Sequence, residues 1–125
     1  MPRWRTVMAA ACLTIGAGGC GGSSDSAQQR FRSQARQICR DINMQLATAS
    51  GAQKLSLGRE EVRRLGSLTP PPELREKFRT YLANEADYYR RAEQAIARHD
   101  LAAANALNPH QDDQLTRDLG LTDCG

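Results

Sequence analysis

The chain has 125 residues, of which 40% are hydrophobic and 5% aromatic, with 17 basic and 14 acidic side chains. That length accommodates one domain, and the abundance of Ala, Leu, Arg, Glu and Gln favours helix over sheet. Setting aside Arg3 and Arg5, which fall in the leader described next, leaves 15 basic against 14 acidic residues; a net charge near +1 removes the compositional footing for nucleic-acid binding.

The first segment reads as an export signal. Met1-Pro2-Arg3-Trp4-Arg5 supplies a positive n-region and Val7 to Ala17 an apolar run. That run is shorter than the roughly 20 residues needed to cross a bilayer and matches a secretory h-region. It closes on Ala17-Gly18-Gly19-Cys20, followed by Gly21-Gly22-Ser23-Ser24. These residues resemble the bacterial lipobox, with Ala17 where Leu is usual. Small side chains let the backbone enter the peptidase, and a thiolate is nucleophilic enough to take a lipid. The expectation is a signal peptide over 1–19 and lipidation at Cys20; ordinary secretion with cleavage near Ala17 to Gly19 is the alternative. Residues 20–26 are then a lipid-anchored flexible tether. Its six residues after Cys20 reach about 20 Å when extended, which holds the domain, residues 27–125, close to a membrane.

Three long helices follow. Phe31, Ala35, Ile38, Ile42, Met44 or Gln45, and Ala49, with Leu46 beside them, recur at helical spacing and predict a helix over 27–50, capped by Ser26 and ended by Gly51. Leu55, Val62, Leu65 and Leu68 suggest a second over 53–67, with Gly58 a flaw in it. Thr69-Pro70-Pro71-Pro72 interrupts the chain, and the last proline opens a third helix over 72–99. Its stripe is Leu74, Phe78, Tyr81, Leu82, Tyr88, Tyr89, Ala92, Ala95 and Ile96. Asp100 caps a short helix over 101–107, and Asn108 with Pro109 starts another that runs to Leu119, where Gly120-Leu121 suggests a Schellman ending. No segment alternates as a strand would. The fold expected is all-α: an antiparallel bundle of three long helices plus a short C-terminal helical hairpin.

Of four cysteines, Cys12 leaves with the leader and Cys20 takes the lipid. Cys39 and Cys124 remain, an even number in an oxidising compartment, and predict a disulfide pinning the C-terminal tail to the first helix. A thiol pair for metal or redox chemistry is the alternative, although such motifs hold their cysteines close in sequence. The lipobox, Cys39 in the first helix, "SLTPPPELREKFRTYL" at 67–82 and "LGLTDCG" at 119–125 together resemble a loose group of small helical lipoproteins of high-GC Gram-positive bacteria. The resemblance implies fold and location, not an activity.

Catalytic signatures are sparse. No HExxH, CxxCH or paired Glu-x-x-His motif occurs, and His99 and His110 are the only histidines. His110 lies beside Asp112 and Asp113, a pattern that suits a solvated helix start better than a metal site. Glu60 and Glu61 point about 100° apart on a helix and do not converge; Glu61 shares a face with Arg64 and Leu65. Neither a catalytic residue, a metal site nor a cofactor is assigned. Tyr81, Glu85 and Tyr88 share a face at i, i+4 and i+7 and mark a core edge, or else a ligand groove or partner patch. Arg32, Arg36 and Arg40 form a like-charge stripe, a solvated face or else a contact for anionic headgroups or an acidic envelope polymer. The function expected is that of a non-enzymatic, membrane-anchored extracytoplasmic domain binding another envelope component. A small-ligand module using the tyrosine edge is the alternative.

Overall fold

The computed structural model describes residues 23–108 and 113–124. Five helices pack against one another: α1 (Ser23–Leu46), α2 (Gly51–Gly66), α3 (Arg75–Ala97), α4 (Leu101–Ala106) and α5 (Asp113–Leu119), with a 3₁₀ turn, Pro72–Leu74, leading into α3. No strand occurs among the described residues, so the all-helical expectation holds. No helix among the described residues is long and apolar enough to cross a membrane.

α1 starts at Ser23, not Ala27, so residues 23–26 are its first turn rather than part of a tether. The composition explains the shift: Ser and Asp suit a helix N-terminus, and Asp25 is an acid in the first turn, where the helix dipole favours it. Phe31, Ala35, Cys39 and Ile42 are buried at spacings of four, four and three. Met44 falls off that stripe and is 76% exposed, a correction to its place in the expected core. α1 ends at Leu46, before Thr48, Ala49 and Ser50. The Ser50 amide then donates to Gln53 Oε1 at 2.9 Å, satisfying a group outside the start of α2.

α2 buries Gly58, Glu61 and Leu65, a stripe that includes a charged residue. After it, Leu68 packs on the core and Pro71 is buried, so the proline run is a packed connection. α3 buries Phe78, Tyr81, Ala92 and Ala95; Ile96, expected in its stripe, is 44% exposed. α3 ends in a Schellman turn without glycine. The His99 amide donates to the Ile96 carbonyl at 2.9 Å and the Asp100 amide to Ala95 at 2.9 Å. His99 therefore has a positive φ of 55°, a conformation that glycine adopts without a Cβ penalty. Asp100 also caps α4, its carboxylate accepting from the Ala103 amide at 2.9 Å.

The expected cap at Asn108 and Pro109 involves residues 109–112, which lie outside the described residues. The end of α5 matches the pattern read from sequence. Gly120 has φ 70°, its amide donates to the Arg117 carbonyl and the Leu121 amide to Thr116, both at 3.0 Å. Leu121 is fully buried. This turn directs the tail back onto α1, where Cys39 and Cys124 form a disulfide with Cα atoms 4.9 Å apart. Around it lie Phe31, Ala35, Leu65, Leu74, Phe78, Tyr81, Leu115, Leu119 and Leu121. Phe31 and Phe78 meet edge to face with ring centres 4.8 Å apart.

Candidate functional site at the α2–α3 seam

The hydrophobic core does not fill the whole space between α2 and α3. Toward the start of α2 the seam becomes polar. Glu61 is 2% exposed, the one charged side chain among the buried residues described, and its Oε2 has no hydrogen-bond partner. A buried ionised carboxylate needs a cation or several donors to offset its desolvation. The cations nearby are engaged elsewhere. Arg64 reaches Asp41 of α1 at 3.3 Å, Arg59 reaches Glu93 at 2.8 Å, Arg63 binds Glu60, and Arg90 and Arg91 both bind Asp87.

What faces Glu61 is another acid. Burial pushes the Glu61 carboxyl up to about 7, and the charge of Glu85 on α3 adds to the shift. Glu85, half-buried, is also raised to about 7 by burial. The hydroxyls of Tyr81 and Tyr89 are pushed well above the usual tyrosine range by burial, with both carboxylates contributing, so both phenols stay protonated. Exposed carboxyls behave oppositely: hydrogen bonds from Arg63, Arg90 and Lys77 hold Glu60, Asp87 and Asp118 below the usual carboxylate range. The seam thus brings together two carboxyls that exchange protons near neutrality and two phenols that do not.

The helices are held close at this point by a glycine. A side chain at Gly58 would stand inside the van der Waals envelope of the Tyr89 ring, meeting Cε1, Cζ and the hydroxyl. The residue that looks like a flaw in α2 is therefore the notch that receives Tyr89. Tyr88 packs edge to face on Tyr89 with ring centres 5.0 Å apart. Beside them a groove of about 370 Å³ is lined by Arg59, Val62, Arg63, Ala86, Tyr89 and neighbouring residues.

Of the patch read from sequence, Tyr81 is buried and stacked near Phe78, with ring centres 6.5 Å apart. Glu85 and Tyr88 are half-buried. The structure adds Glu61, Gly58 and Tyr89 to that face. The lining tyrosine of the groove is Tyr89, not Tyr81 or Tyr88. Glu61 was legible as a member of the Leu65 stripe, four residues before it; what periodicity did not reveal is that Arg64 turns to α1 and leaves it unpaired. The arginine stripe is not uniform. Arg32 is half-buried, its guanidinium donating to the Asp118 carbonyl at 3.1 Å near the end of α5. A Cβ at Gly120 would lie 2.9 Å from the Arg32 Cδ. Arg36 is half-buried and donates to the Arg32 carbonyl at 3.4 Å, while Arg40 is exposed. Cys20 lies outside the described residues.

Among the described residues no cluster of three or more His, Cys, Asp or Glu side chains is arranged to hold a metal ion. No family model matches the chain, and no curated protein or solved structure is similar to it.

Proposed function

We propose that this chain is a lipid-anchored extracytoplasmic protein whose helical domain acts by binding another component of the cell envelope rather than by catalysis. The observation that carries this reading is the Cys39–Cys124 disulfide. Structural disulfides persist in oxidising compartments, which agrees with the export signal read over 1–19 and with a lipid on Cys20. Because α1 begins at Ser23, only Gly21 and Gly22 would separate the anchored residue from the first helix. Such a leash reaches about 7 Å and would hold the domain against the headgroups. Arg40, exposed on α1, and Arg36 beside it would then be the members of the stripe best placed for anionic contact. The finer architecture we favour is an antiparallel arrangement of α1, α2 and α3. For α2 and α3 it is supported by the pairing of Gly58 with Tyr89 at the middle of α2 and of Gly66 with Leu82 at its C-terminal end.

The test is intact-mass and N-terminal analysis of the chain extracted from bacterial membranes. The expected product begins at a diacylglyceryl-modified Cys20, and Cys20→Ala should prevent the modification and release the protein from the membrane fraction. An unmodified N-terminus, or a full-length chain in the soluble fraction, rejects the anchor.

A further inference from the structure

We propose that the α2–α3 seam is a proton-operated latch, closed while Glu61 and Glu85 are protonated and loosened as they ionise. The device is separate from membrane anchoring and stands whether or not Cys20 is lipidated.

The geometry carries the proposal. Glu61 is buried with an oxygen that accepts nothing. From α3 the groups that face it are Glu85 and the phenols of Tyr81 and Tyr89; none of them is a cation. From α1 the charged group reaching α2 is Asp41, held by Arg64. On α2 itself, Arg59 and Arg63 are committed to Glu93 and Glu60. A second negative charge in this seam therefore has no counter-charge to meet and can be relieved by admitting water, which means parting the helices.

The fold permits that movement. The disulfide ties α1 to the C-terminal tail, and α5 is tied to α1 and α3 by Arg32–Asp118 and Lys77–Asp118 contacts. No covalent cross-link holds α2. What closes its middle on α3 is the insertion of Tyr89 against Gly58 and the exposed Arg59–Glu93 pair, while Leu65 holds its C-terminal end in the core. Both carboxyls are raised to about 7, which places the transition near neutrality. The sign follows from linkage. In the opened seam the two carboxyls regain ordinary values near 4.5, so the closed form binds more protons, and rising pH through the interval from about 4.5 to about 7 favours opening.

Amide hydrogen exchange of the disulfide-intact protein tests the latch, read as the opening equilibrium of α2 after correction for intrinsic exchange. Between about pH 6 and about pH 8.5, each titrating carboxyl should make opening of α2 about tenfold more frequent. Amides of α1 around Cys39 should not change. Glu61→Gln with Glu85→Gln should abolish the pH dependence, and Glu85→Gln alone should reduce it. Glu60→Gln, at an exposed carboxyl paired with Arg63, should leave it intact. Equal α2 protection at the two pH values in the parent protein would overturn the proposal, as would a dependence that survives in the double variant. Should the double variant fail to fold, persistence of the full dependence in Glu85→Gln is equally decisive against it.

Discussion

Gly58→Ala separates two physical accounts of the same residue. Helix propensity alone says that replacing a mid-helix glycine by alanine stabilises by about 1 kcal/mol. The seam says the opposite, because the added methyl would overlap the Tyr89 ring. Tyr89 is half-buried and flanked edge-on by Tyr88, so relieving the overlap requires the helices to separate or the ring to leave its rotamer and its contact with Tyr88. Overpacking of this kind costs about 1–3 kcal/mol. Net of the propensity gain, the expectation is a loss of up to about 2 kcal/mol, a fall in melting temperature of roughly 4–8 °C for each kcal/mol lost in a domain of this size. The control is the same substitution in a Tyr89→Ala background. With the ring gone the methyl meets nothing, and Gly58→Ala should there stabilise by about 1 kcal/mol. The coupling energy between the two positions is then the overpacking cost itself, about 1–3 kcal/mol. Urea denaturation followed by far-UV circular dichroism, on the oxidised protein, measures all four corners of the cycle. Stabilisation by Gly58→Ala in both backgrounds, with no coupling, would refute the notch.

Further expectations follow from the termini and the cross-link. Replacing both Cys39 and Cys124 by Ser opens a loop of 85 residues and should cost up to about 4–5 kcal/mol by chain entropy, visible as a lower urea midpoint that matches the reduced parent. His99→Gly relieves the positive φ at the end of α3 and should raise stability by about 1 kcal/mol, the reduced left-handed strain exceeding the added chain entropy; no change in the urea midpoint would show that the histidine contributes something in return. Asp100→Ala removes the cap of α4 and should cost about 1 kcal/mol, with the loss of protection confined to residues 101–106 in hydrogen exchange.

How far the sequence announces this structure depends on which force dominates at each point. Where apolar spacing decides, the outline is legible: Phe31, Ala35 and Ile42 define α1, Phe78 and Tyr81 define α3, and Gly120-Leu121 marks the last turn. The cysteine pairing is read from the count of cysteines left once the leader and Cys20 are set aside, and the disulfide is present. Periodicity fails where a side chain's choice of partner matters more than its register. Met44 sits two positions beyond Ile42, on the opposite face of a helix. Arg32 lies in a charge stripe, yet its stem packs against Gly120 and its head reaches a carbonyl of α5. Glu61 shares the Leu65 face, and its burial depends on where Arg64 turns. Gly58 reads as a weakness until a ring from 31 residues away is placed on it.

The same contrasts divide α2 into two unlike halves. Its C-terminal half is fixed: Leu65 is fully buried, Leu68 packs on the core, and the connection beyond it contains three consecutive prolines, one of them buried, before Leu74 returns to the interior. A proline run is extended and stiff, so that end of α2 has little freedom to pivot. Before Gly58 no residue of α2 is fully buried, and the preceding link, residues 47–50, holds no proline and lies beside an open groove lined by Gln45, Thr48, Gln53 and Ser56. Charge placed on Glu61 and Glu85 therefore acts on a helix restrained at one end and loosely held at the other. Separation should begin at Gly51 and stop near Leu65, giving protection that rises along α2 toward its C-terminus at high pH. A uniform loss along the whole helix would mean instead that the restraint lies in the seam and not in the core beneath Leu65.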